Sequence, residues 1–347
     1  MRKPITKVGH YTTWQGDLTC AVVGNFVDEE FFADVPDNNI KDHCQIIAKE
    51  TKQDLDNLAK LYESHNVNVY RPKILNNKPC IKKHGATQIL NPRPNMSPFD
   101  HIFCRDNKIV LTWCDIDRFE DADTIQHILD DCAWPVEIIK FNPPAEYDQE
   151  YYNTLDSKDW PGNKDVILDS PTFSPAGKHI FYSEKYVCSP KGLEKFKSIF
   201  PTAKFVPMGL PVSNHLDAQF RIIKEGHVIT CHSAETLTAL CPQFANWEIS
   251  TDDSWRQTKK ALSARDNLMT AWLDTDTSDS SIHLGFVHVN PSLVITQREN
   301  YNLCKALEKA KVDWIVSPMR HDYYFGLAIS CATAIIHRSD ENIDYFV

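Results

Sequence analysis

The sequence predicts an α/β fold rich in sheet. Short apolar, β-branched runs alternate with segments whose apolar residues recur at helical spacing, and this rhythm persists along the whole 347-residue chain. In the first unit, residues 18–26 read as a buried strand. Ile40, Cys44, Ile47, Leu55, Leu58 and Tyr62 then fall on one helical face, and 67–70 read as the next strand. A second unit has a strand at 109–113, a helix at 122–132 and a strand at 136–139. A third has strands at 166–168 and 180–183, a helix at 193–200 and a strand at 204–208. An apolar run enters at Phe220 and an extended stretch covers 227–232; the last unit places strands at 284–289, 293–296 and 314–317 around a helix at 302–311. Segments 142–163 and 241–281, polar and without apolar period, read as long excursions from the core. Neither marks a domain boundary, so one domain over residues 1–347 is expected.

Composition narrows the function. A formal net charge of −10 argues against nucleic acid and anionic membranes as partners, because both are bound by excess Lys and Arg. The N-terminus has no apolar run of a secretory signal, and no segment approaches the length of a membrane span. Eleven cysteines, an odd number without a C-x-x-C pair, read as reduced thiols and suggest the cytoplasm. Glycine-rich phosphate cradles are missing from the sequence. His227 and Cys231 would share one strand face while His232 points to the other, so no metal-ligand set is read there.

Four polar stretches remain: Cys104-Arg105-Asp106-Asn107, Leu168-Asp169-Ser170, His215-Leu216-Asp217-Ala218-Gln219-Phe220 and Ser330-Cys331-Ala332-Thr333. Each alone has a plain alternative. The H-x-D of His215 and Asp217 could be a solvated strand end, Asp169 a strand terminator, Asp106 a loop partner of Arg105, and Cys331 a small buried strand residue. Together they supply a thiol, an imidazole and three carboxylates. A cysteine, a histidine and an orienting carboxylate make an activated nucleophile, and two further carboxylates suit a planar guanidinium. In an extended strand His215 and Asp217 would leave the same face.

These stretches resemble the amidinotransferases, the glycine amidinotransferase group of guanidino-modifying enzymes. Asn214-His215-Leu216-Asp217-Ala218-Gln219-Phe220-Arg221-Ile222-Ile223 is similar to the family segment carrying the catalytic histidine and a guanidinium-binding aspartate. Asp169, within Leu168 to Phe181, matches the aspartate that orients that histidine; Cys104-Arg105-Asp106 resembles the R-D motif that holds substrate; and Arg320 through Gly326 to Cys331-Ala332-Thr333 resembles the segment bearing the nucleophile. The resemblance implies a pentein fold, a five-bladed α/β-propeller of pseudo-repeated ββαβ units. It also implies ping-pong amidino transfer from a guanidine donor such as arginine to an amine acceptor. Cys331 would be the nucleophile, His215 the acid/base and Asp169 its orienting partner, with Asp106 and Asp217 gripping the donor and no metal or organic cofactor. A homodimer is compatible with this reading, and a guanidine hydrolase of the deiminase or dihydrolase type uses the same residues. Two departures stand out: Gly326-Leu327-Ala328-Ile329-Ser330 replaces the family's glycine-rich turn and histidine before the cysteine, and Cys231-His232-Ser233-Ala234-Glu235 lacks its carboxylate-binding arginine.

Overall fold

A computed structural model of the chain describes residues 4–33, 38–74, 82–84, 87–89, 95–112, 121–141, 168–183, 188–210, 215–253, 284–322 and 327–346. Strand β1 (Leu18–Val23) runs parallel to β2 (Asn68–Tyr70), joined across helix α1 (Asn38–Ser64). Cys44, Ile47, Ala48, Leu55, Leu58 and Tyr62 are buried on α1, as the helical period requires. A small antiparallel hairpin, β3 (Lys82–His84) and β4 (Thr87–Ile89), follows.

The next blade begins with β5 (Ile102–Arg105) antiparallel to β6 (Lys108–Leu111). The chain then crosses through α2 (Asp121–Thr124) and α3 (Gln126–Asp130) to β7 (Glu137–Lys140), parallel to β6. The same order recurs in β8 (Phe173–Ala176), β9 (His179–Tyr182), α4 (Pro190–Ile199) and β10 (Lys204–Pro207). A short helix α5 (Leu216–Gln219) then leads into β11 (Phe220–Lys224), β12 (His227–Thr230), α6 (Ala234–Leu240) and β13 (Glu248–Thr251). The last full unit is β14 (Phe286–Asn290), β15 (Leu293–Thr296), α7 (Tyr301–Ala310) and β16 (Asp313–Val316). Finally β17 (Thr333–Arg338) returns to pair antiparallel with β1, completing the first blade from both ends of the chain. The result is five three-stranded sheets of one ββαβ plan. Side-chain caps start the crossover helices: Ser189 accepts from Gly192 N on α4, Ser233 from Thr236 N on α6, and Asn300 from Asn302 N and Leu303 N on α7.

Five apolar clusters sit between the blades and close them into a ring. Cys20, Val22, Ala334 and Ile336 of the first blade pack with Cys104, Ile109 and Leu111 of the second. Phe103 and Val110 pack with Phe173 and Ile180 of the third. Ala176 and Phe181 meet Phe220, Ile222 and Val228 of the fourth. Ile223 and Ile229 meet Phe286 and Val294 of the fifth. Val287, Val289 and Ile295 return to Ala21 and Val23 of the first. Burial within each blade gives the radial direction. The leading strands β5, β8, β11, β14 and β17 are buried almost throughout, whereas β7, β10, β13 and β16 are largely exposed or half-buried. The leading strands therefore line the axis, where side chains meet neighbours on both faces.

Several expected boundaries change. Strands β5 and β8 were not anticipated: each is only four residues long, and Arg105 and Pro175 break the apolar pattern. Pro175 is tolerated because β8 is an edge strand of its sheet. Of the strand expected at 166–168, the described Leu168 makes only an isolated bridge with Cys188. The excursion expected from 241 begins instead with a 3₁₀ turn, Pro242–Phe244, and β13; its remainder, and that at 142–163, lie outside the described residues. The nine described cysteines form no disulfide, and among the described residues no helix is long and apolar enough to cross a membrane.

Candidate active site

Every candidate polar residue that comes together lies in the turn before a leading strand. Asp100 ends the 3₁₀ turn Pro98–Asp100 ahead of β5, and Asp169 is the N-cap of the 3₁₀ turn Ser170–Thr172 ahead of β8. His215 caps α5 and Asp217 lies within it, ahead of β11; Cys331 precedes β17. The repeated plan thus delivers these turns to one mouth of the ring. The expected extended strands at His215–Asp217 and at Cys331 are corrected here, because β11 begins only at Phe220 and β17 only at Thr333. Residues two apart do not share a helical face. His215 reaches Asp169, while Asp217 meets Ser330 and Arg221.

A hydrogen-bonded relay follows. His215 Nε2 lies 2.8 Å from Asp169 Oδ2, and the imidazole also hydrogen-bonds the Cys331 thiol. Burial works to lower the His215 pKa, but the Asp169 carboxylate, its hydrogen bond and the contact with Cys331 reverse this and hold it well above its usual value. Burial pushes the Cys331 thiol up, and the Asp217 and Asp100 carboxylates add to the effect while His215 opposes it. Both carboxylates thus favour the thiol over the thiolate, and a cation held by them would oppose that effect. Asp217 is 5 % exposed; Ser330 Oγ donates to its Oδ2 at 2.7 Å, and its Oδ1 is buried without a hydrogen-bond partner.

Asp106 is not brought to this cluster. It occupies the hairpin turn between β5 and β6 with φ of 51°, 3.8 Å from Arg105 Nε and hydrogen-bonded to Tyr11. The leading strands start at the Cys331 mouth and run to the other, where the N-terminal segment crosses: His10 N donates to Cys104 O, and Gly177 N to Tyr11 O. Asp100 precedes β5 and Asp106 follows it, so the four-residue strand, roughly 10–13 Å long at a rise of ~3.3 Å per residue, separates them. Asp100, which sequence reasoning missed, takes the place at the site. Nothing local in the sequence singles it out, because the short strand β5 that it precedes is itself not visible in the apolar pattern.

One ligand atom from each of Asp100, His215 and Cys331 lies within 4.8 Å of the others. Such a carboxylate, imidazole and thiol set could supply three positions of a zinc tetrahedron. The same three groups, with His215 already held by Asp169, equally form a nucleophile, its acid/base and a cation-binding carboxylate.

No protein-family model matches the sequence, and no curated protein matches it by sequence. Solved structures do match in three dimensions. An inosamine-phosphate amidinotransferase from Streptomyces griseus superposes with a TM-score of 0.71 at 17% identity, covering 99% of this chain and 100% of that one. The chain has the pentein fold. An amidinotransferase of the saxitoxin biosynthetic pathway from Microseira wollei gives a TM-score of 0.71 at 16% identity, covering 98% and 99%. Dimethylarginine dimethylaminohydrolase from Pseudomonas aeruginosa gives 0.59 at 8% identity, covering 92% and 100%. The pentein ring explains why residues from four separated stretches share one mouth: each comes from the equivalent turn of a different blade.

Proposed function

We propose that this chain is a guanidine-processing enzyme that transfers an amidino group from a guanidine donor, arginine being the simplest, to an amine acceptor. One observation carries the reading: a buried cysteine is hydrogen-bonded to a histidine that an aspartate holds, and two more carboxylates act on its sulfur. Asp100 and Asp217 take the donor guanidinium, with Asp100 in the role first assigned to Asp106. The bound cation offsets the two charges that disfavour the thiolate, the Cys331 proton passes to solvent while His215 stays protonated, and the thiolate attacks the guanidinium carbon. As the tetrahedral adduct collapses, the carbon–nitrogen bond breaks and His215 protonates the departing amine, leaving an amidino group on sulfur. An acceptor amine gives a proton to His215, bonds to the amidino carbon and expels the thiolate.

Transfer is favoured over hydrolysis by the closer superposition on the two amidinotransferases than on the hydrolase, 0.71 against 0.59. Intact-protein mass spectrometry with arginine and no acceptor is the test. The expected result is one added amidino group on Cys331. Steady citrulline formation without acceptor would replace the reading with a hydrolase, and an unmodified protein that turns over no guanidine would remove it.

A further inference from the structure

Two side chains converge on a single oxygen of Asp217. Ser330 Oγ donates to Oδ2 at 2.7 Å, and Arg221 Nη1 lies 3.5 Å from the same atom. The other oxygen, Oδ1, is buried without a hydrogen-bond partner. From this geometry we infer that Ser330 and Arg221 are positioning residues that fix the Asp217 carboxylate and dedicate Oδ1 to a guanidinium N–H of the substrate. The inference rests on the reading of Asp217 as a substrate-binding carboxylate.

Arg221 is itself immobilised. It is 8 % exposed, its Nη2 donates to Phe286 O on β14, and its guanidinium lies 4.9 Å from the centre of the Phe286 ring. It is a fixed positive charge behind the carboxylate. Ser330 adjoins the nucleophile, so its hydrogen bond ties the Cys331 turn of one blade to the Asp217 turn of another. Sulfur and carboxylate therefore keep their spacing before substrate arrives, which is the preorganisation a near-attack geometry needs. A carboxylate oxygen left unmatched in the interior is costly until a donor occupies it, so binding energy is concentrated on Oδ1.

The test uses the full chain with Cys331→Ala, which cannot turn over, and measures arginine binding by calorimetry. Adding Ser330→Ala should weaken arginine at least 10-fold with the thermal midpoint nearly unchanged, and Ser330→Thr should restore binding. Arg221→Gln in the same background should weaken arginine by a similar factor, and Arg221→Lys, which keeps the charge but not the planar contact with Phe286, should restore part of the binding; a purely structural role would lower the thermal midpoint without this graded loss. If wild-type enzyme forms the amidino-Cys331 adduct but Ser330→Ala and Arg221→Gln bind arginine with the parent's affinity, the positioning role is overturned and the enzyme reading survives. If wild type forms no adduct and Cys331→Ala binds no guanidine, both fall together.

Discussion

Asp100 and Asp106 are six residues apart with the same side chain, and their opposite placements make opposite predictions. Asp100 lies within 4.8 Å of the reacting groups, so Asp100→Asn should lower kcat/KM by about 10²-fold through loss of a charge-assisted contact. Asp106→Asn should change it less than about twofold, because Asn suits the left-handed turn and the site lies at the other end of the strand. Steady-state kinetics on both variants decides, and a larger loss for Asp106→Asn would invert the assignment. The titrating pair makes a second prediction. The His215 pKa is raised on folding, so its contribution to stability is complete below about 6.5 and is lost as pH rises through the folded value. Cys331 is also raised, and its contribution declines as pH climbs beyond about 8.5, the ordinary thiol value. Urea unfolding should show wild type losing stability relative to His215→Asn as pH rises from 6 to 9 (roughly, from the ordinary imidazole and thiol values). A pH-independent difference would contradict the His215 assignment.

Among the elements, the Cys331 turn is held from outside by side chains of the fifth blade. Gln297 Oε1, just past β15, accepts from Ile329 N at 3.1 Å, and Gln297 Nε2 donates to Asp322 Oδ2 at 3.0 Å. Gly285 makes room for this arrangement: a Cβ there would come within 2.6 Å of Ala328 Cβ and 3.2 Å of Gln297 Oε1. Gly285→Ala should therefore cost about 1–3 kcal/mol of stability by overpacking and push the Cys331 turn off its position. The expected outcome is a fall in kcat larger than the change in KM, checked by kinetics beside a urea melt. An unchanged kcat would show that the turn has slack. Strands β5 and β8 were the elements hardest to see in the sequence. In β5 a buried arginine and in β8 a proline break the apolar pattern by which the other four-residue strands are recognised.

At the scale of the molecule, the ring is closed by buried cations as well as by apolar clusters. Arg338 is 1 % exposed; its Nη2 donates to His288 O at 2.6 Å across the boundary of first and fifth blades, and its Nη1 to Gly16 O at 2.9 Å. Arg105 Nη2 likewise reaches Gly177 O at 2.9 Å across the second and third. Arg338→Ala should destabilise the protein by about 3–5 kcal/mol, since it leaves a cavity and two carbonyls without their donors. Chemical denaturation checks this, and a loss under about 1 kcal/mol would mean water replaces the guanidinium at little cost.

The sequence by itself determined which reactive side chains the chain carries and the secondary-structure rhythm. Thiol, imidazole and carboxylate identities are local, and the apolar periods of α1, α7 and most second and third strands can be counted directly along the chain. Local patterns also single out Asp169, His215, Asp217 and Cys331, which the structure gathers at one mouth of the ring. Tertiary structure alone decided which aspartate flanking β5 joins them. That choice depends on the direction of the strand along the axis, fixed by packing against the first and third blades through Cys104, Ile109 and Phe103, and nothing within residues 100–106 encodes it. It also decided that Ser330 and Arg221, 109 positions apart, share one oxygen of Asp217, because they belong to different blades that only ring closure brings together.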